Sequence, residues 1–204
     1  MEKLEKILQE SNTKLFIFDF DGTIMDTIAC HYSAWCETYR IFGKEFISEE
    51  KFKNQFSGTS SEELIETLNQ KNSLHLDISR AIFIKNNIFK NKYYEKIKPF
   101  PKVIGIIKNY FGKIPFVIAS GGEKEDIIRI LNKHNLSCYF EYIISINDVK
   151  KGKPEPDLFL TAAKKYDVPA WHCLVFEDSE AGFQAAKKAN MKFININELC
   201  FYGD

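Results

Sequence analysis

Five short apolar runs punctuate the chain, at Leu15–Phe18, Phe116–Ala119, 142–146, 173–176 and 192–196. Each is of strand length, and most lack the polar alternation of a half-exposed strand, so they read as strands covered on both faces. Stretches of helical length separate the last four. That alternation predicts parallel strands joined by crossover helices, an α/β class with a three-layer, Rossmann-like core. In such sheets ligands bind at the carboxyl ends of the strands. The residues just after each strand are therefore the informative part of the sequence.

The first interval has a different pattern. From Asp26 to about Lys98 there is no convincing strand, and the stretch is far too long for a loop. Ile28, Tyr32, Trp35, Cys36, Tyr39 and Phe42 fall on one helical face, and Gly43 is placed to end that helix. Ser48-Glu49-Glu50 reads as a second helix start, and Ser60-Ser61-Glu62-Glu63 as a capping box before a third. The 77–97 stretch reads as one or two more. The pattern predicts a helical domain over 26–97, inserted into a core built from 1–25 and 98–204. Pro99 and Pro101 mark the return to the sheet.

Composition narrows the function classes. The chain has 204 residues, 45% of them hydrophobic, which is enough for one well-formed core and a smaller insertion. Lys+Arg and Asp+Glu both number 28, so no basic excess recommends nucleic acid or an anionic membrane. Cys30, Cys36, Cys138, Cys173 and Cys200 are scattered and form no CxxC, which argues against a disulfide framework or a zinc knuckle. Met1-Glu2-Lys3-Leu4-Glu5-Lys6 lacks the apolar core of a signal peptide, and no run approaches membrane-spanning length. The expectation is a soluble cytoplasmic protein whose size and neutral surface permit a monomer.

Four groups after the strands carry chemistry. Asp19-Phe20-Asp21-Gly22-Thr23 stands after the first, with two carboxylates two positions apart and a glycine for a sharp turn. Such a pair suits a divalent cation and, through it, a phosphate, with one carboxylate left to attack and the other to move a proton. Ser120-Gly121-Gly122 stands after the second strand. Its hydroxyl and amides suit a phosphate oxygen at a helix N-terminus, although taken alone a serine N-cap is the commoner meaning. Lys150-Lys151-Gly152-Lys153-Pro154-Glu155-Pro156-Asp157 stands after the third. The prolines stiffen this loop and fix the direction of Lys153, Pro156 is placed to open the next helix, and Lys150 and Lys151 read as solvated. Glu177-Asp178-Ser179 ends the fourth strand and adds oxygen ligands, helix-capping acids being the alternative.

With these four groups in this order, the chain resembles the haloacid dehalogenase superfamily of phosphohydrolases, in the subgroup with a helical cap inserted after the first motif. The resemblance runs through nearly the whole chain from Leu15. It implies Asp19 as the nucleophile that becomes aspartyl-phosphate. Asp21 is then the acid that protonates the leaving group and afterwards activates water, a role that calls for a raised pKa. Ser120, Gly121 and Lys153 would hold the transferring phosphoryl. Mg²⁺ would be bound by the Asp19 side chain, the Asp21 backbone carbonyl and Asp178, with Glu177 a further ligand or a partner behind the ligands. The implied partner is a small phosphorylated metabolite, neither nucleic acid nor membrane.

Asp26-Thr27-Ile28-Ala29-Cys30-His31-Tyr32-Ser33-Ala34-Trp35 is similar to the opening of the beta-phosphoglucomutase branch, which also contains hexose-phosphate phosphatases. By that likeness His31 and Lys90 are the polar cap residues over the site. The alternatives are a half-buried histidine stacked near Trp35 and a solvated helix lysine. In the mutase an arginine of the cap grips the second phosphate, and that position here is Ser61. This departure favours hydrolysis over transfer within a bisphosphate. Residues 97–101 and 174–182 also look more like phosphatases of fructose 1-phosphate and 6-phosphogluconate. The expected function is a Mg²⁺-dependent sugar-phosphate phosphatase. The competing readings are a sugar-phosphate mutase, an idle binding or regulatory scaffold, and, more remotely, a halide-removing enzyme. Cap closure would exclude water, with hinges near Met25-Asp26 and Lys98-Pro99.

Overall fold

The computed structural model describes Leu4, Leu8 and residues 12–199. Five parallel strands, β1 (Leu15–Phe18), β2 (Phe116–Ala119), β3 (Tyr142–Ile144), β4 (Cys173–Glu177) and β5 (Lys192–Asn195), form one sheet in the order β3-β2-β1-β4-β5. The first strand is central, as its wholly buried sequence Leu-Phe-Ile-Phe requires. Phe18 is in register with Ile118 on one side and Phe176 on the other. The strand order reverses between β1 and β4, so a crevice opens there at the carboxyl ends.

Side-chain alternation builds two apolar layers from the same strands. Phe16, Phe18, Phe116, Ile118, Leu174 and Phe176 face one way and pack with α5 (Pro101–Tyr110) and α6 (Lys124–Lys133). The Phe18 and Phe176 rings stack at 4.5 Å across neighbouring strands. Leu15, Ile17, Val117, Ala119, Cys173 and Val175 face the other way, toward α7 (Asp157–Lys165) and α8 (Glu180–Lys188). The small residues Ala162, Ala163, Ala185 and Ala186 let these helices approach closely. The result is the expected three-layer α/β core.

Residues 26–97 contain no strand. They hold α1 (Ile28–Ile41), α2 (Glu49–Phe56), α3 (Ser61–Asn72) and α4 (Ile78–Ile88), then a π turn over Phe89–Tyr93 and a 3-10 turn over Tyr94–Lys96. Their own apolar cluster is built from Trp35, Tyr39, Phe52, Phe56, Leu64, Ile65, Leu68 and Ala81. Gly43, at φ +68°, closes α1 by donating to Arg40 O. Ser48, Ser60 and Asp77 cap the next three helices with side-chain oxygens. At α3 the observed bond is Glu63 N–H to Ser60 Oγ. The chain leaves and re-enters the core side by side, through a bridge between Met25 and Pro99. Asp26 donates to Lys98 O at 2.8 Å and Phe100 to Ile24 O at 2.9 Å.

Some boundaries differ from the sequence expectation. β3 stops at Ile144 because Ser145 and Asp148 form a reciprocal capping box that turns the chain into a 3-10 turn. β5 stops at Asn195, whose side chain accepts from Asn197 N–H. β4 runs one residue further, to Glu177. Pro156 precedes the first turn of α7 rather than lying within it. Cys30, Cys36, Cys138 and Cys173 are free thiols, and Cys200 lies outside the described residues. Among the described residues no helix is long and apolar enough to cross a membrane.

Candidate active site

The loops after β1, β2, β3 and β4 converge on one crevice. Asp19 comes directly after β1, and its amide donates to Phe176 O at 3.0 Å, which locks it beside the end of β4. The next turn depends on Gly22, at φ +86°, where a Cβ would lie 2.3 Å from Asp178 Oδ2. The Asp178 carboxylate therefore rests against bare backbone, and Thr23 Oγ1 donates to it at 2.9 Å.

At the centre lies the Lys153 ammonium, fully buried, which donates to Asp19 Oδ1 at 2.5 Å and to Glu177 Oε1 at 2.6 Å. Burial alone would push this ammonium's pKa down. The Asp19 and Glu177 carboxylates overturn that and hold it above the ordinary lysine range. Glu177 also accepts from Ser179 Oγ on the same oxygen, and from the amides of Asp178 and Ser179 on the other. A carboxylate has about four acceptor positions, so Glu177 is fully engaged. Of its two expected roles, this geometry favours the partner that orients Lys153 over a direct metal ligand.

Oxygens of Asp19, Glu177 and Asp178 lie within 4.8 Å of one another. Three acids around one ammonium leave an excess of negative charge. Burial, reinforced by Glu177 and Asp178, pushes the Asp19 carboxyl well above its usual pKa against the opposing pull of Lys153. Burial and the Glu177 charge push Asp178 up to about 7. Such a cluster binds either protons or a cation, and hard oxygen donors with an uncompensated charge fit a divalent ion such as Mg²⁺. Asp19 and Asp178 are the side chains with acceptor capacity to hold it.

The Asp21 carboxylate turns away from this cluster toward the helical segment. It accepts from Thr27 Oγ1 at 2.7 Å and lies 3.2 Å from His31 Nε2. Burial tends to raise its pKa, but the His31 contact, the Thr27 bond and the Lys85 charge together hold it below the ordinary carboxylate value. The expectation of a raised pKa is thus corrected: the surroundings of Asp21 lower it. Burial alone would give the raised value, and only the fold brings in the donors that reverse it.

Ser120 is not an N-cap. Helix α6 starts at Lys124, preceded by Glu123, while Ser120 Oγ accepts from Gly122 N–H at 3.0 Å and reaches Asp21 Oδ2 at 3.5 Å. Ser120 and Gly121 line a cavity of about 320 Å³ together with Asp19, Asp21 and His31. The helical segment closes this cavity from above. Gly58, at φ +81°, sits so close to the core that a Cβ there would lie 2.6 Å from Ser179 Oγ and 3.7 Å from Lys153 Cδ.

The expected cap residues divide. His31 stacks on Phe89, with ring centroids 4.2 Å apart, rather than near Trp35, and its Nε2 addresses Asp21. Lys90 is not a lining residue; it pairs with Asp126 at 3.0 Å. The lysine that does line the cavity is Lys85, which is 5% exposed and whose Nζ lies 5.0 Å from the Phe89 ring centroid and 5.7 Å from that of Trp35. The sequence held the signal: Ala81, Lys85 and Phe89 recur at i, i+4, which puts a charge inside an apolar helical stripe.

Burial lowers the Lys85 pKa to about 8, against the opposing fields of Asp21, Asp126 and Glu123. The folded value lies below the unfolded one, so the unfolded chain holds more protons between the two. Stability should therefore rise with pH from about 8 to about 10.4. Lys85→Met should abolish that rise and stabilise the protein at pH 7 by about 1–3 kcal/mol. Urea unfolding of both proteins across this pH range checks it. A variant less stable than wild type at pH 7 would show that Lys85 holds the cavity wall together.

Known proteins resemble this chain along most of its length. The chain is 28% identical over 183 residues to the fructose-1-phosphate phosphatase YqaB of Escherichia coli, covering 90% of this chain and 96% of that one. It is 30% identical over 195 residues to the beta-phosphoglucomutase of Bacillus subtilis, covering 91% and 84%. The crystal structure of a beta-phosphoglucomutase from Clostridium difficile superposes with a TM-score of 0.77 at 26% identity, covering 89% of this chain and 83% of that one. The sequence model of the haloacid dehalogenase-like hydrolases matches residues 16–196, spanning the sheet, the helical segment and every residue of the crevice, and the chain belongs to that family.

Proposed function

We propose that this chain is a Mg²⁺-dependent phosphatase of small phosphate monoesters, with sugar phosphates as its substrates, acting through an aspartyl-phosphate. The observation that carries the reading is the buried Asp19–Lys153–Glu177 chain beside Asp178, at the carboxyl ends of β1 and β4. It presents a nucleophile already fixed to a cation, next to acids that call for a second one.

Asp19 and Asp178 would hold Mg²⁺, which when bound offsets the repulsion between the Asp19 carboxylate and a phosphate dianion. An Asp19 oxygen attacks phosphorus, and the bond to the ester oxygen breaks. Asp21 gives that oxygen its proton, so the alcohol leaves neutral. Asp21, now a carboxylate, takes a proton from water as the water attacks the acyl phosphate and restores Asp19. Lys153 and the Ser120 hydroxyl hold the oxygens of the transferring group. Thr27 and His31 fix the Asp21 carboxylate on the wall of the cavity that Asp19 also lines. An arriving phosphate dianion raises the Asp21 pKa by like charge, which supplies the protonated form that the first step needs.

Residues 26–97 act in this reading as a cap over a core made of 12–25 and 98–199, turning between Met25-Asp26 and Lys98-Pro99. The seating of Gly58 against Ser179 supports it, since the contact joins the two parts over the phosphoryl end. Ser61 lines the cavity with a hydroxyl where a mutase needs a guanidinium.

Phosphate release should be followed over a panel of sugar phosphates with Mg²⁺ and, separately, with EDTA. Release that requires Mg²⁺ is expected. Efficient interconversion of glucose 1- and 6-phosphates without release would overturn the phosphatase reading in favour of transfer.

A further inference from the structure

Beyond its reacting groups, the cavity is charged in an unexpected sense. There its ionisable lining consists of His31, Lys85, Glu62, Glu123 and Asp126. Asp126 is paired with Lys90. Glu62 and Glu123 have no such assignment within their helices. The side chain that caps α3 is Ser60, and Glu123, although it precedes α6, makes no capping bond. The Lys85 charge already faces Asp21, Asp126 and Glu123. An incoming anion would gain the pull of one shared ammonium and meet two carboxylates.

The remaining lining suits an uncharged polyol. Ser60, Ser61 and Asn86 offer hydroxyl and amide groups, and Trp35 and Phe56 offer flat apolar wall for C–H faces. Glu62 and Glu123 both border this cavity of about 320 Å³, so their charges bear on whatever part of a substrate extends beyond the phosphate. We propose that this site selects phosphate monoesters whose remainder is uncharged, and discriminates against a second anionic group, with Glu62 and Glu123 making the distinction. The proposal rests on the phosphatase reading and specifies its substrate class.

Glucitol 6-phosphate and 6-phosphogluconate are a matched pair: both carry an open six-carbon chain, and they differ at one end in CH₂OH against carboxylate. Each should be tested as a substrate with Mg²⁺ and as a competitor of p-nitrophenyl phosphate turnover, so that binding is read even where turnover is slow. Wild-type kcat/KM should favour the neutral ester by about tenfold or more. Glu62→Gln with Glu123→Gln should narrow that ratio to about threefold. Both side chains are exposed, so the double variant should keep its thermal midpoint. Glu123→Lys should improve the acid ester selectively. Parity between the pair in the wild type, or a ratio unmoved in the folded variants, would overturn this inference and leave the phosphatase reading intact. Failure to hydrolyse any ester, p-nitrophenyl phosphate included, would remove both.

Discussion

Asp19→Asn is expected to lower phosphate release by at least about ten-thousandfold, because an amide oxygen cannot displace an alkoxide from phosphorus. The same change should raise the thermal midpoint in metal-free buffer. Wild-type Asp19 is one of three carboxylates, with Glu177 and Asp178, clustered about a single ammonium. Removing one charge relieves like-charge repulsion in a site that burial makes poorly screened, and asparagine can still accept from Lys153. The gain expected is about 1 kcal/mol. Mg²⁺ should correspondingly stabilise the wild type more than the variant. Steady-state phosphate release and thermal unfolding in EDTA and in Mg²⁺ check the prediction. Residual activity within about tenfold of wild type would remove Asp19 as nucleophile. A lower midpoint would mean that the Lys153 ion pair outweighs the repulsion.

Lys153→Met should be the most damaging single change to stability, and it should cost activity as well. The lysine is fully buried with Asp19 and Glu177 on either side of it. Methionine fills similar volume but leaves both carboxylates without their cation, at a cost of about 3–5 kcal/mol. The lost clamp on the transferring phosphoryl should also lower kcat by about a thousandfold. The stability loss has a signature. Unpaired buried carboxylates escape by binding protons, so the deficit against wild type should be smaller at pH 5 than at pH 8. Urea unfolding at the two pH values measures it. A deficit under about 1 kcal/mol would show that the amides and hydroxyl bonded to Glu177 suffice to hold that corner. Lys153→Arg is not expected to rescue, because a planar guanidinium has no room in a position with no exposed surface.

The core is legible in the sequence because its strands are buried on both faces, so Leu15–Phe18 and Phe116–Ala119 read as unbroken apolar runs. The candidate site is legible because Asp19, Ser120 and Asp178 stand directly after strands. Lys153 follows β3 only after a 3-10 turn and a loop, and its proline-flanked position is what marks it in the sequence. The cap is harder. Likeness of Lys90-Asn91-Lys92-Tyr93-Tyr94 to the beta-phosphoglucomutase branch points to Lys90, and most of that string lies in the π turn over Phe89–Tyr93, where side chains rotate out of α-helical register. In the structure Lys85, in the regular helix just before it, lines the cavity, while Lys90 pairs with Asp126. The acidity of Asp21 is illegible for a related reason. It depends on donors at Thr27, His31 and Lys85, which the fold of the inserted segment aims at one carboxylate. Glu177 shows its charge in the sequence but not the bonds that saturate it.

The side-by-side crossing at Met25 and Pro99 has a consequence for how this scaffold diversifies. Both ends of the 26–97 segment meet the core at one short bridge, so the segment can lengthen, shorten or exchange its helices without altering strand register or the spacing of Asp19, Lys153 and Asp178. The strands can thus keep their register while the inserted helices change, and Thr27, His31 and Lys85, which act on Asp21, are the positions that such change would have to spare.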